Sequence, residues 1–248
     1  MLKNNLKIRM AFFFLACMLF AGCQTPAKST RIDAFQKMAA DSDEILASDL
    51  NFDIQRGKIT YTLPEPALVR VRIGLADGGP LLHTLVDWEP RKAGKHIEVW
   101  DKKDSAKKVD FSGHKDFLVM LSCLPLDPKK HAEYHGPIRG IGKSPEFEIV
   151  FPNNLGSNGE MPIVPEIVPI RVVLSEKDKP RLTEAKYEIG IYLDYIFVME
   201  DEEGMSPFTY LLNTKGLNDG PHILTVNIGA YTGEVGSKSI RIFVKNSP

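Results

Sequence analysis

The stretch Lys58-Ile-Thr-Tyr-Thr-Leu63, followed by Pro64-Glu-Pro66 and then Val69-Arg-Val-Arg-Ile73, decides the fold class. Ile59, Tyr61 and Leu63 alternate with Thr60 and Thr62, and Val69, Val71 and Ile73 alternate with Arg70 and Arg72. A period of two sends successive side chains to opposite faces of an extended chain, so each run predicts a strand with one apolar and one polar face. The prolines between them punctuate the two runs as a turn. Working outward, Ile97 and Val99 alternate with His96 and Glu98, Phe117 to Leu121 is an apolar run of strand length, and Phe147, Ile149 and Phe151 alternate with Glu146 and Glu148. Asp77-Gly-Gly-Pro80 and Ala93-Gly94 supply further turns. The pattern predicts an antiparallel β-sandwich over residues 48–151.

Several of these runs also carry a family likeness. Lys58-Ile-Thr-Tyr-Thr-Leu-Pro, the Val69–Gly74 strand, Leu81 to Leu85, and Ala93-Gly-Lys-His-Ile-Glu-Val-Trp-Asp101 together resemble the immunoglobulin-like domain of the flagellar hook-capping (FlgD) family. That family's pattern ends A-G-x-H-x-x-x-W-D-G, and here Lys102 stands at the final glycine position. The resemblance implies a β-sandwich module and not a flagellar role, because one fold hosts many functions.

A Pro-, Asn- and Gly-rich stretch, Pro152 to Pro162, reads as a linker over 152–166. Beyond it, alternation returns at Ile170, Val172 and Leu174, at Tyr187 to Leu193, at Phe208, Tyr210 and Leu212, and at Ile240, Ile242 and Val244. A second all-β domain over 167–248 is expected. Leu217-Asn-Asp-Gly-Pro-His-Ile-Leu-Thr-Val226 resembles the L-x-D-G-x-H-x-L-x-V segment near the end of bacterial immunoglobulin-like domains. Both halves thus place a His two residues after a glycine, at His96 and His222, and these read as sheet-edge residues rather than ligands. The expected fold class is all-β, two tandem immunoglobulin-like sandwiches.

The N-terminus is of another kind. Lys3, Lys7 and Arg9 precede a 12-residue apolar run from Met10 to Ala21, the layout of a secretory signal. At about 1.5 Å per residue such a run covers roughly 18 Å, short of a hydrocarbon core of about 30 Å. Leu19-Phe-Ala-Gly-Cys23 resembles the bacterial lipobox, which implies cleavage after residue 22 and diacylation of Cys23. Gln24 after the cysteine resembles an outer-membrane sorting signal, so the expected site is the bacterial cell envelope, lipid-anchored at the outer membrane. Residues 23–47 read as a tether.

The 248 residues are 43% hydrophobic and 25% charged, which excludes disordered, collagen-like and multi-span membrane classes. The formal net charge of −1 gives no electrostatic footprint for nucleic acid. Loss of a leader carrying three basic and no acidic residues leaves 28 Lys and Arg against 32 Asp and Glu, or −4. With Cys17 removed and Cys23 acylated, Cys123 remains alone, so no intramolecular disulfide is expected, and its place at the end of an apolar run reads as core.

The best candidate site is the long connection from Leu124 to Pro145. It holds Lys129, Lys130, His131, Tyr134, His135, Arg139 and Lys143 against Asp127 and Glu133, so it is locally basic. Lys130, His131, Tyr134, His135 and Arg139 are the expected contact residues, with Tyr134 and Arg139 suited to anchor an interface. His131 and His135 are four apart, as zinc ligands on one helix face would be, with Cys123 and His114 as conceivable further ligands. Asp101 with Asp104, and the acidic run Glu200-Asp-Glu-Glu203, are either solvated turns or clustered oxygens for calcium. No catalytic residue or cofactor is expected. The reading is a non-catalytic envelope lipoprotein bound to the membrane through Cys23, whose sandwiches bind an envelope or surface protein or a glycan. Its alternatives are a metal-binding accessory protein or metal-dependent hydrolase using His131 and His135, and a structural envelope spacer.

Overall fold

The computed structural model describes residues 47–126, 142–153 and 155–246. The residues 1–46 and 127–141, and with them Cys23, Lys130, His131, Tyr134, His135 and Arg139, lie outside the described residues.

The first unit contains β1 (Ser48–Asp53), β2 (Lys58–Leu63), β3 (Ala67–Leu75), β4 (Leu81–Arg91), β5 (Gly94–Val99) and β6 (Phe117–Pro125). They form two antiparallel three-stranded sheets, in the orders β1-β2-β5 and β4-β3-β6. The alternation of the opening stretch is realised as expected. Ile59, Tyr61 and Leu63 of β2 face Val69, Val71 and Ile73 of β3, and Trp100, Val109, Phe111 and Cys123 complete the core. Burial of each such side chain stabilises the fold by roughly 1.5–3 kcal/mol. At the position where the hook-capping pattern has glycine, Lys102 adopts φ +61, the left-handed conformation glycine would take without strain.

The second unit contains β7 (Phe147–Val150), β8 (Ser157–Asn158), β9 (Met161–Val164), β10 (Ile167–Leu174), α1 (Lys179–Ala185), β11 (Tyr187–Leu193), β12 (Ile196–Asp201), β13 (Phe208–Asn213), β14 (Gly220–Ala230) and β15 (Val235–Val244). Its sheets run β13-β10-β7 and β12-β11-β14-β15-β9-β8. β9 pairs in parallel with β15, while β7 pairs antiparallel with β10, so the leading edge of this sandwich switches from one sheet to the other. Two facing sheets with this strand order make an immunoglobulin-like sandwich. The fold is therefore all-β with two such sandwiches and one short helix among the described residues.

Two sequence expectations differ from this arrangement. Phe147 to Phe151, expected to close the first unit, instead belongs to the second, where Phe147–Val150 form β7 beside β10 and Phe147 lies in the second core. The 152–166 stretch, expected as a linker, contains the β8–β9 hairpin, with Val164 fully buried. Period-two alternation reveals which side of a strand is buried, but not which sheet the strand joins.

Among the described residues, three clusters of contacts join the sandwiches, beside the exposed Lys108–Glu160 pair at 3.9 Å. The side-chain amide of Asn227 on β14 accepts from the backbone N–H of Leu81 at 2.8 Å and donates to its carbonyl at 2.9 Å. Ser237 Oγ donates to the same carbonyl at 2.5 Å. Tyr195, in the turn between β11 and β12, packs with Ile223 onto the first core. The third contact is ionic and lies at the root of the long loop.

Candidate functional site

The loop expected to carry contacts leaves β6 at Pro125 and re-enters the described structure at Gly142. Its first root is lightly held, by the N–H of Leu126 donating to the carbonyl of Pro66 at 3.2 Å. Its second root is gripped. The carbonyl of Gly142 accepts from Arg70 Nη2 at 2.5 Å, and that of Lys143 accepts from Arg181 Nη2 at 3.1 Å. The ammonium of Lys143 donates to the carbonyl of Asp87, and the N–H of Ser144 to Asp87 Oδ2 at 2.6 Å.

Arg70 is the centre of this root. It lies on β3, the middle strand of its sheet, and is 1% exposed. Nε donates to Asp87 Oδ1 at 2.9 Å, Nη1 donates to the carbonyl of Gly233 in the β14–β15 turn at 3.1 Å, and the guanidinium lies 4.5 Å from the centroid of the Trp88 ring. Burial pulls its pKa below the ordinary guanidinium value, and the Asp87 carboxylate opposes that loss of charge. A buried guanidinium is tolerated when its donors are met, and here the carboxylate and two carbonyls meet them.

The adjoining ion pairs belong to the second sandwich. Arg181 of α1 donates from Nη1 to Glu234 Oε1 at 2.7 Å and from Nη2 to Asp178 Oδ1 at 3.0 Å. Asp178 also accepts from Ser175 Oγ at 2.8 Å and from the N–H of Glu146 at 2.9 Å. Burial works against its charge, but these donors outweigh it and hold its carboxyl below the usual range. Gly142 is wedged into the cluster. A Cβ there would come within 2.2 Å of Glu234 Oε1 and 2.7 Å of Arg181 Nη1, so only glycine fits without displacing the ion pair.

The remaining candidates fall elsewhere. Cys123 is buried in the first core, opposite Val69 on β3. The His114 ring stacks edge-on against Tyr195 at 4.1 Å. Asp104 is 5% exposed, and its carboxylate accepts the N–H groups of Ala106, Lys108 and Val109 at 3.1, 2.7 and 2.6 Å, so its oxygens are committed to a turn. Asp101 pairs with Lys107 at 2.6 Å. Glu200 and Asp201 end β12 rather than sitting in a turn. Burial, with Glu188 alongside, pushes the Glu200 carboxyl up to about 7. Among the described residues no group of three or more His, Cys, Asp or Glu side chains converges as a metal site.

The two glycine-linked histidines share a device. Nε2 of His96 bonds the carbonyl of Lys92 at 2.7 Å, and Nε2 of His222 bonds that of Asn218 at 2.8 Å, in each case four residues back. His96 stacks on Tyr61 at 5.3 Å, whereas His222 places Nδ1 2.6 Å from Asp194 Oδ2.

Sequence reasoning missed Arg70, Asp87, Arg181 and Glu234. Alternation assigns Arg70 to the solvent face of β3, but the loop root and the second sandwich cover that face. The available signal was two arginines flanking valine on a strand whose neighbour, β4, carries Asp87 and Glu89.

No family model matches the chain, and no curated protein matches it. Among solved structures, the chain is similar to the fibronectin(III)-like modules of Clostridium thermocellum CbhA, at 17% identity over 42% of this chain and all of that one, with a TM-score of 0.29. A tetra-tandem repeat from the extending region of a large adhesion protein matches at 11% identity over 80% of this chain and 48% of that one, with a TM-score of 0.28. An endo-β-1,4-mannanase from Thermotoga petrophila matches at 14% identity and a TM-score of 0.30 over 42% of this chain, which spans only 20% of the mannanase. At such scores these likenesses assign neither a family nor an activity to the chain.

Proposed function

We propose that the chain is a lipid-anchored protein of the bacterial cell envelope, held through Cys23, and that it works without catalysis as a binding or assembly module. The first sandwich is of the hook-capping type. In support, the backbone at Lys102 has the left-handed conformation that the pattern's glycine would provide. The observation that carries the binding role is the gripped root at Gly142 to Ser144, where groups from both sandwiches converge on the base of a basic loop. Binding surfaces are commonly loops raised on a rigid scaffold, and a fixed root lowers the entropy lost when such a loop engages a partner. Tyr134 and Arg139 are the anchor residues, with Lys130, His131 and His135 beside them, and the partner is an envelope or surface protein or a glycan.

In-cell crosslinking followed by mass spectrometry tests this reading. The wild-type chain should capture a reproducible partner, Tyr134→Ala with Arg139→Ala should lose it at an unchanged melting temperature, and Cys23→Ala should release the protein from membranes. Capture unaffected by the loop substitutions would remove the loop from the reading, and membrane retention of the Cys23→Ala chain would remove the anchor.

A further inference from the structure

The turn joining β11 to β12 is Asp194-Tyr195, with Leu193 paired to Ile196 across it. Both turn residues have positive φ, +48 and +69. Two-residue hairpin turns of this kind favour Asn-Gly or Asp-Gly, because the second position strains a residue with a side chain. Tyrosine in the glycine position therefore needs a compensating contact, and that contact is made on the other sandwich. The Tyr195 ring meets His114 at 4.1 Å and Phe111 at 6.2 Å, both edge-on, and packs on the first core beside Ile223.

What holds the turn in place comes from β14. The Asp194 N–H donates to the carbonyl of Ile223 at 2.8 Å, and the Ile223 N–H donates to Asp194 Oδ1 at 2.9 Å. His222 supplies the last restraint, with Nδ1 2.6 Å from Asp194 Oδ2 and Nε2 2.8 Å from the Asn218 carbonyl. Both of these partners are acceptors, so both contacts are hydrogen bonds only when each ring nitrogen carries a proton. A neutral ring has one donor and turns a lone pair toward one of the two oxygens.

We propose that the Asp194–Tyr195 turn is a pH-responsive latch between the two sandwiches, held shut by a His222 imidazolium that donates from both ring nitrogens and loosened when that ring gives up a proton to solvent. The groups around it are few. The turn contributes the Asp194 carboxylate, the segment before β14 the Asn218 carbonyl, and β15 the apolar Ile242 opposite His222, with Arg241 opposite Ile223. On the first sandwich, His114 touches Tyr195, and the Asp110 carboxylate acts on its hydroxyl. Burial pushes that hydroxyl up to about 12, so it stays neutral where histidine titrates.

The sign follows from the folded and unfolded rings. Burial alone would lower the His222 pKa, but the bonds to Asp194 and Asn218 outweigh it and raise it above the ordinary 6.5. The latch therefore has its full strength below about 6.5 and loses it as pH rises through the folded-state value.

Aromatic NMR of the full chain across this range reads the latch directly. The Tyr195 ring signals, displaced by His114 and Phe111, should move toward free-tyrosine positions with the same midpoint as the His222 ring, and His222→Gln should abolish that movement. Tyr195 signals that stay constant through the His222 titration, that follow the His114 ring instead, or that still titrate in His222→Gln would overturn the proposal. The wild-type titration decides the matter even if the variant is unstable.

Discussion

Two of the patches that join the sandwiches solve the same problem with opposite chemistry. At the loop root a buried guanidinium, two carboxylates and a second, partly exposed arginine are matched to one another and to carbonyls. At the start of β4, the neutral Asn227 amide pairs with both backbone groups of Leu81 much as a neighbouring strand would. The neutral patch carries little desolvation cost and little penalty when disturbed. The charged patch is costly to bury and costlier to break, because each partner removed strands the other in a low-dielectric site.

The contrast is best broken at its centre. Arg70→Ala leaves Asp87 half-matched and the Gly142 and Gly233 carbonyls without their donor, and urea unfolding should show a loss of about 3–5 kcal/mol. A loss of only about 1–2 kcal/mol would mean that water replaces the guanidinium and that the charged patch resembles the neutral one. Gly142→Ala forces a methyl into the Arg181–Glu234 pair and should cost roughly 1–3 kcal/mol, the range of overpacked sites. On the neutral side, Asn227→Ala should cost about 1–2 kcal/mol, since Ser237 still serves the Leu81 carbonyl while the N–H loses its acceptor. Added salt should leave the Asn227 effect unchanged.

Charge against neutrality is also exchanged on the outer face of β12. Glu200 titrates near 7 in the fold against an ordinary 4.5, so its protonated form favours the folded state, and that contribution is lost as pH rises through about 7. Glu200→Gln should flatten the melting temperature between about pH 4.5 and 7 and raise it above 7. A curve parallel to wild type would sink the assignment. The smallest effect belongs to Lys102→Gly, which removes left-handed strain of roughly 1–2 kcal/mol but adds about 0.5–1 kcal/mol of unfolded-chain entropy. A net gain of about 0.5–1 kcal/mol in urea unfolding is expected.

These residues also mark the limit of what sequence could disclose. Alternation at Ile59 to Leu63 and Val69 to Ile73 was enough to locate β2 and β3 and their apolar faces, because a period of two is a local property. The partner of β7 was hidden, since Phe147 and Ile149 would alternate identically in either sandwich. Arg70 was hidden for a sharper reason. Its polar face is covered in part by Gly142 and Gly233, more than 70 positions away, so a rule that equates polar with exposed assigns it to water. The Asn227 amide carries no pattern at all. The turn at Asp194-Tyr195 lacks the glycine that marks such hairpins, and only the neighbouring sandwich explains why a tyrosine is there. Of the long loop after β6, sequence disclosed length and basicity, and the structure adds the grip on its second root.

The separation of these partners along the chain sets a timetable for assembly. β9 pairs with β15, and the bond from Arg70 to Gly233 joins residues 163 positions apart. Contacts so distant in sequence form late, because their loop entropy is met only after local pairing is complete. As the chain emerges from its N-terminus, β1 to β6 can pair while β14 and β15 are still unmade, and Arg70 remains hydrated on the finished first sandwich. The two halves lock only when the final hairpin arrives, so a chain truncated before β14 would lack both the Gly233 carbonyl that Arg70 meets and the Asn227 amide that meets Leu81.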